Sequence, residues 1–284
     1  MEKQTKAKLN KGFYSSLKIS SYICCGIAIV ALVGVILFVL IRGMGHLTAQ
    51  LLFGNPKDGD TILPAFLGTL RLIFISIVIA VPLGIFSAVF LVEYMRGKGK
   101  IVKIIRIATE TLSGIPSIVY GLFGYLIFVV AFGWGYSMWG GGITLAIMIL
   151  PTIVRSTEES LLSVPDGYRE GALALGTSKV KTIFKVILPA ASGGIVTSII
   201  LAIGRVVSES AVLILTIGMV VDKIPATSVS PGTSLALDVY YFANFGKPDE
   251  AAATAVVLLL FVLALNLLAA LCGRLIRKKY GDNA

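Results

Sequence analysis

Arg205 and Glu209 sit inside the apolar run Ala190–Ile217. A charge at the centre of a bilayer costs about 2.5–3.5 kcal/mol on insertion scales, so such residues persist where they face a partner or a water-filled path. Their i, i+4 spacing puts both on one face of a helix, within pairing reach. Gly204 and Ser208 add a small-xxx-small step beside them, which suits close helix packing. Two readings stay open. A guanidinium presents a planar fork of donors and never deprotonates, which equips it to hold an anion, with Glu209 offsetting enough charge for release. Alternatively the two residues form an ion pair that only fixes packing. Arg71, about a turn and a half into another apolar run, is a second candidate for such a path, or an arginine snorkelling to the interface.

Familiar catalytic equipment is missing from the sequence. There is no G-x-x-x-x-G-K-[ST] phosphate loop and no G-x-G-x-x-G fingerprint. His46 is the only histidine, so no Ser/His/Asp set exists. Cys24, Cys25 and Cys272 have neither metal-ligand nor disulfide-framework spacing and read as packing residues. The chain is therefore not expected to be an enzyme or to carry a cofactor. If it moves something uphill, the energy comes from a gradient or from another subunit.

The elements that must position these residues follow from composition. Apolar residues make up 56% of the 284 and charged residues 14%, against about a quarter charged in a soluble domain. The class is all-α and polytopic. Helical spans need roughly 20 apolar residues, and six runs qualify: 19–41, 65–92, 104–132, 142–162, 190–217 and 251–275. Lysines and arginines crowd alternate connections. Lys3, Lys6, Lys8, Lys11 and Lys18 precede the first run. Arg96, Lys98, Lys100, Lys103 and Arg106 fill the second connection. Arg169, Lys179, Lys181 and Lys185 fill the fourth, and Arg274, Arg277, Lys278 and Lys279 follow the last run. The other connections hold only Arg42, Lys57, Lys223 and Lys247. By the positive-inside rule both termini are cytoplasmic. The net charge of +10 is then a topology signal and an anionic-lipid contact, not a nucleic-acid footprint. Pro82, Pro116 and Pro151 fall within runs and are expected to kink them. Trp134, Tyr136 and Trp139 read as an interfacial aromatic anchor.

One charged loop interrupts this apolar chain. Pro165 ends the fourth run, helix formers fill Tyr168–Leu175, and Gly176 stops them. Thr177 or Ser178 can cap the next turn, and Pro189 opens the fifth run at a tolerated first-turn position. The small residues permit close backbone approach by a partner.

That loop, Glu170-Gly171-Ala172, three residues, Gly176, nine residues, then Val186-Ile187-Leu188-Pro189, resembles the E-A-A-x3-G-x9-I-x-L-P loop of binding-protein-dependent ABC importer permeases. Gly171 replaces an alanine and Val186 an isoleucine. Ser113–Gly124 and Leu150–Glu159 are similar to phosphate-specific permeases, with the short N-terminal part and basic C-terminal end more PstA-like than PstC-like. The resemblance implies a MetI-like fold, N-in and C-in, in a bacterial inner membrane. It implies that Arg169, Glu170, Gly171, Ala172, Leu175, Gly176, Leu188 and Pro189 form an ATPase-docking loop. It also implies that Arg205 and Glu209, with Arg71, belong to a phosphate path. The organisation expected is a basic cytoplasmic tail (1–18), a first membrane helix with an external loop (19–64), and a transmembrane domain (65–284) whose coupling loop occupies 165–189. Implied partners are a PstC-like permease, two PstB-like ATPases carrying ATP–Mg, and a PstS-like external binding protein. Another oxyanion such as sulfate or molybdate is the nearest rival. A gradient-driven transporter or a channel is further off, since no inverted repeat is visible.

Overall fold

The computed structural model describes residues 2–56, 59–95 and 99–280. Lys57, Arg96 and Lys98 lie outside the described residues, as do the side chains of Lys3, Lys6, Lys8, Lys11, Arg277, Lys278 and Lys279. Among the described residues every regular element is a helix. They are α1 (Glu2–Met44), α2 (Ala49–Phe53), α3 (Leu63–Val89), α4 (Lys100–Ser113), α5 (Ser117–Gly124), α6 (Met138–Leu162), α7 (Asp166–Ala174), α8 (Lys179–Thr182), α9 (Leu188–Val207), α10 (Ala211–Thr216), α11 (Leu235–Asn244) and α12 (Pro248–Tyr280). Wide π turns follow α3 (Phe90–Tyr94), α5 (Tyr125–Ala131) and α8 (Ile183–Ile187). Among the described residues five helical runs are long and apolar enough to cross a membrane, or six if the bent pair α4 and α5 is one span.

The centre is a packed trio of α3, α6 and α9, with α12 on α9 and α1 on α12. Leu72, Ile75, Leu145, Met148, Ile149, Ile153 and Val206 fill the space between the trio. Hydroxyls inside these helices return to their own backbone: Thr69 donates to Ala65, Ser76 to Leu72 and Thr144 to Gly140, at 2.7–2.8 Å. This is how polar side chains are satisfied where no water competes. Glycines set the closest approaches. A Cβ on Gly142 would fall 2.5 Å from Ile75 Cγ2, and one on Gly124 would fall 2.3 Å from Thr144 Oγ1.

Two runs depart from the sequence reading. The third run breaks: α4 meets the helix through α5 at 99°. Pro116 causes it, having no N–H for the helix and pushing Ile115 out of the α region. The Tyr120 hydroxyl then pins the bend, donating to Leu112 O at 2.7 Å. Pro82 and Pro151, by contrast, lie inside helices that run on through them. The fifth run starts earlier and stops earlier, spanning Lys179–Val207. At its start the Leu188 N–H bonds back five residues to Ile183 O, and this wide turn stands directly before the proline that cannot donate. At its end the Ser208 hydroxyl bonds back to the carbonyls of Gly204 and Arg205, and α10 is a separate helix. The small-xxx-small step is no packing seam within the chain, since a Cβ on Gly204 would meet open space.

Candidate functional site

The charged loop folds as a short helix, α7, whose surface is free. No residue of α7 is buried. Glu170, Gly171 and Ala174 are exposed, Ala172 is half-buried, and Leu173 and the following Leu175 show large apolar surfaces. Gly176 takes φ +76°, the left-handed conformation that glycine adopts without penalty. Its N–H bonds to Leu173 O at 2.9 Å and that of Thr177 to Ala172 O at 3.3 Å, the paired bonds of a Schellman cap. Of the two expected caps for the next turn, Ser178 does the work, accepting from Lys181 N. Leu188 and Pro189 are half-buried at the start of α9, beside the apolar base formed by Val89, Val92, Leu161, Ile183 and Ile187.

Arg169 differs from its neighbours. Its guanidinium turns inward and is only 19% exposed. Nε and Nη2 donate to Glu93 Oε1 at 3.0 and 2.9 Å, Nη1 to Val164 O and Asp166 Oδ1, and Nη2 also to Leu161 O. All five N–H groups of an arginine are thereby used. The two carbonyls belong to the last turn of α6 and the residue two beyond it, where a helix leaves acceptors orphaned and favours a cation. Arg169 is thus a keystone of the loop and not part of its free face. Sequence reasoning missed Glu93; the signal was a lone acid closing an otherwise apolar run.

The intramembrane charges do not pair. The chain leaves the helix at Ser208, so the i, i+4 register that would join Arg205 to Glu209 is lost. Glu209 instead caps α10, its Oε1 accepting from Val212 N at 3.2 Å. The guanidinium of Arg205, a half-buried residue in the last turn of α9, has no hydrogen bond or ion pair among the described residues. Its field reaches Tyr120, a neighbour the sequence did not single out. Arg71 Nη1 donates to Pro225 O at 3.0 Å and tethers the loop before α11.

A cavity of about 470 Å³ opens between α4 and α6, on the α7 side of the bend. Thr109, Ser113, Thr152 and Ser156 give it hydroxyls. Its cations are already paired, Arg106 with the mostly buried Glu158 and Arg155 with Glu159. With Glu110 added its formal charge is −1, so it is not an anion trap. At the other end of the bundle Asp238 is fully buried under α11. It accepts from the Thr233 hydroxyl, while its second oxygen has no partner. Burial pushes its carboxyl up to about 7, against the lowering effect of Thr233.

Residues 80–281 match the family described as "Binding-protein-dependent transport system inner membrane component". The chain is 34% identical over 280 residues to the probable ABC transporter permease protein YqgI of Bacillus subtilis, covering 92% of this chain and 95% of that protein. It is 35% identical over 212 residues to the phosphate transport system permease protein PstA 1 of Mycobacterium tuberculosis, covering 73% and 68% respectively. An inward-facing structure of the MetNI methionine ABC transporter superposes with a TM-score of 0.60 at 19% identity, over 85% of this chain and 97% of that one. This last likeness speaks for the MetI-like fold alone. The free-faced loop helix, the multi-pass bundle and the extent of the match agree: this chain belongs to the binding-protein-dependent transport system inner membrane components, as an ABC transporter permease subunit.

Proposed function

We propose that this chain forms half of the membrane pathway of an ATP-driven importer of inorganic phosphate. The observation that carries the reading is Arg205, a half-buried residue in the last turn of α9 whose guanidinium has no partner among the described residues. Phosphate carries between one and two negative charges at neutral pH, and a planar fork of donors matches its oxygens. The relatives named for phosphate transport support that cargo. Glu209, held aside by its cap on α10, contributes a nearby negative charge that keeps binding weak enough for release. Arg71 acts at a distance by holding the Pro225 loop.

In this reading both termini and α7 are cytoplasmic, as the distribution of basic residues requires. A homologous PstC-like permease completes the pathway. Two PstB-like ATPases receive the exposed face of α7, and a PstS-like protein delivers phosphate outside. ATP–Mg is bound by the ATPases and not by this chain. Nucleotide-driven closure displaces α7, and the two permeases exchange an outward opening for an inward one.

The test uses the co-expressed complex with its binding protein in proteoliposomes. Phosphate should stimulate ATP hydrolysis and accumulate inside, whereas sulfate and molybdate should do neither. Stimulation by sulfate or molybdate in place of phosphate would keep the importer and overturn the cargo. Failure of any ATPase to co-purify would overturn the docking role of α7.

A further inference from the structure

Where α7 touches the rest of the chain, it does so through charge. The apolar base beneath it packs the ends of α3 and α6 against the start of the α8–α9 run, but α7 itself buries nothing there. Its grip is the Arg169 guanidinium on Glu93, which sits in the π turn that ends the second span. Glu93 is 9% exposed, so the pair is screened from water far more than a surface bridge is. A second cation closes on the same turn from the other side of the loop: Lys179 Nζ, the first residue of α8, lies 4.6 Å from the centroid of the Tyr94 ring. Tyr94 in turn stacks on Phe90. Both arms of the loop, one before and one after Gly176, therefore hold consecutive residues of one π turn. Beside this clasp runs a groove of about 640 Å³, lined by Glu93, Asp166, Arg169, Glu170, Leu173 and Lys179 among others.

We infer that Glu93 is a positioning residue for transport: it is the handle by which a displacement of α7 is transmitted to α3. The reasoning is mechanical. A helix with no fully buried residue packs only lightly on its neighbours, so force on it passes chiefly through the bonds it makes. A π turn is a local widening that can lengthen or shorten by one hydrogen-bond register, and such turns recur at functional sites. The helix it ends, α3, runs from this turn through the central trio to the Arg71 tether at its far end. A pull on Glu93 is thus delivered along the element that packs against α6 and α9. Tyr94 keeps the turn aligned through Lys179 and does not bear the load, because a cation over a ring is a weaker tie than two charge-assisted bonds to one screened carboxylate.

This inference rests on the docking role proposed for α7, and the experiment separates the two. In proteoliposomes holding the complete complex and binding protein, phosphate uptake and ATP hydrolysis are measured together for wild type, Glu93→Gln and Glu93→Asp. Co-purification of the ATPase with the wild-type complex is scored first; its absence refutes docking itself. With docking intact, Glu93→Gln should retain the ATPase and hydrolyse ATP within about twofold of wild type, yet move at least tenfold less phosphate per ATP. Glu93→Asp, which keeps the charge, should recover most of that ratio. An unchanged ratio in Glu93→Gln overturns the inference. So does a proportional fall of uptake and hydrolysis, which is what a residue needed only for folding or docking would give.

Discussion

Replacing Arg205 with leucine separates a pathway residue from a structural one by the sign of its effect on stability. A structural ion pair would lose its partner, and breaking a buried pair costs about 3–5 kcal/mol. Arg205 has no such partner among the described residues. The chain carries the cost of placing it in a membrane-spanning helix, at most about 2.5–3.5 kcal/mol on insertion scales. The side chain is only half-buried, so about half of that cost is recoverable. Arg205→Leu should therefore stabilise the complex by about 1–2 kcal/mol, which for a chain of this size raises the melting temperature by roughly 2–6 °C. Transport should respond oppositely. Loss of charge-assisted hydrogen bonds worth about 1.5–3 kcal/mol corresponds to roughly a 10–100-fold fall in uptake. Arg205→Lys keeps the charge without the fork and should fall between. Thermal unfolding of the purified complex and radiolabelled phosphate uptake, both normalised to assembled protein, measure the two quantities. A melting temperature that drops together with uptake would refute the reasoning, as would normal uptake.

Four further outcomes are expected. Gly176→Ala forces a side chain into φ +76° at a cost of about 1–2 kcal/mol; the Schellman cap frays, and ATPase co-purification should fall with uptake. Gly171→Ala restores the family's usual residue where a Cβ meets nothing within 4 Å; helix propensity improves by up to about 1 kcal/mol, so uptake and co-purification should equal or exceed wild type. Gly142→Leu drives a side chain into Ile75, and overpacking of about 1–3 kcal/mol should reduce the yield of assembled complex in size-exclusion chromatography. Asp238 sets a pH dependence. Its carboxyl is raised from 3.8 to about 7 by burial, so the folded state favours the protonated form. Its stability contribution is complete below about pH 4 and is lost as pH rises through about 7. Asp238→Asn should match wild type at about pH 4 and below, and be more stable than wild type at pH 8 by an amount on the order of a few kcal/mol, read as a higher melting temperature.

Much of the fold was legible because the bilayer enforces it. Long apolar runs left little choice for α1, α3, α6 and α12, and glycine after a run of helix formers marked the end of α7. Four things were not legible, each for a physical reason. Hydropathy averages over a window, so it joined α4 to α5 across Gly114 and Pro116, although the proline was visible. It likewise joined α9 to α10 across the stop at Ser208, a break too short for a window average to register. The supposed Arg205–Glu209 pair then failed for the same cause: i, i+4 arithmetic holds only while the helix lasts. Arg169 was placed correctly in the loop, but the direction of its side chain depends on Glu93, which is 76 residues earlier. Local patterns carry no information about such a partner.

The outermost helix carries a consequence for how the chain is made. Among its described side chains α1 buries only Gly43, and it packs on α12. At that crossing a Cβ on Gly43 would fall 2.4 Å from Ala252 O, and Arg42 reaches Asp249, 207 residues later, at 2.8 Å. A helix thus docks against one synthesised about 200 residues later. At about 5–20 residues per second, α1 waits on the order of 10–40 s in lipid before its site exists, and its nearly continuous apolar surface suits that wait.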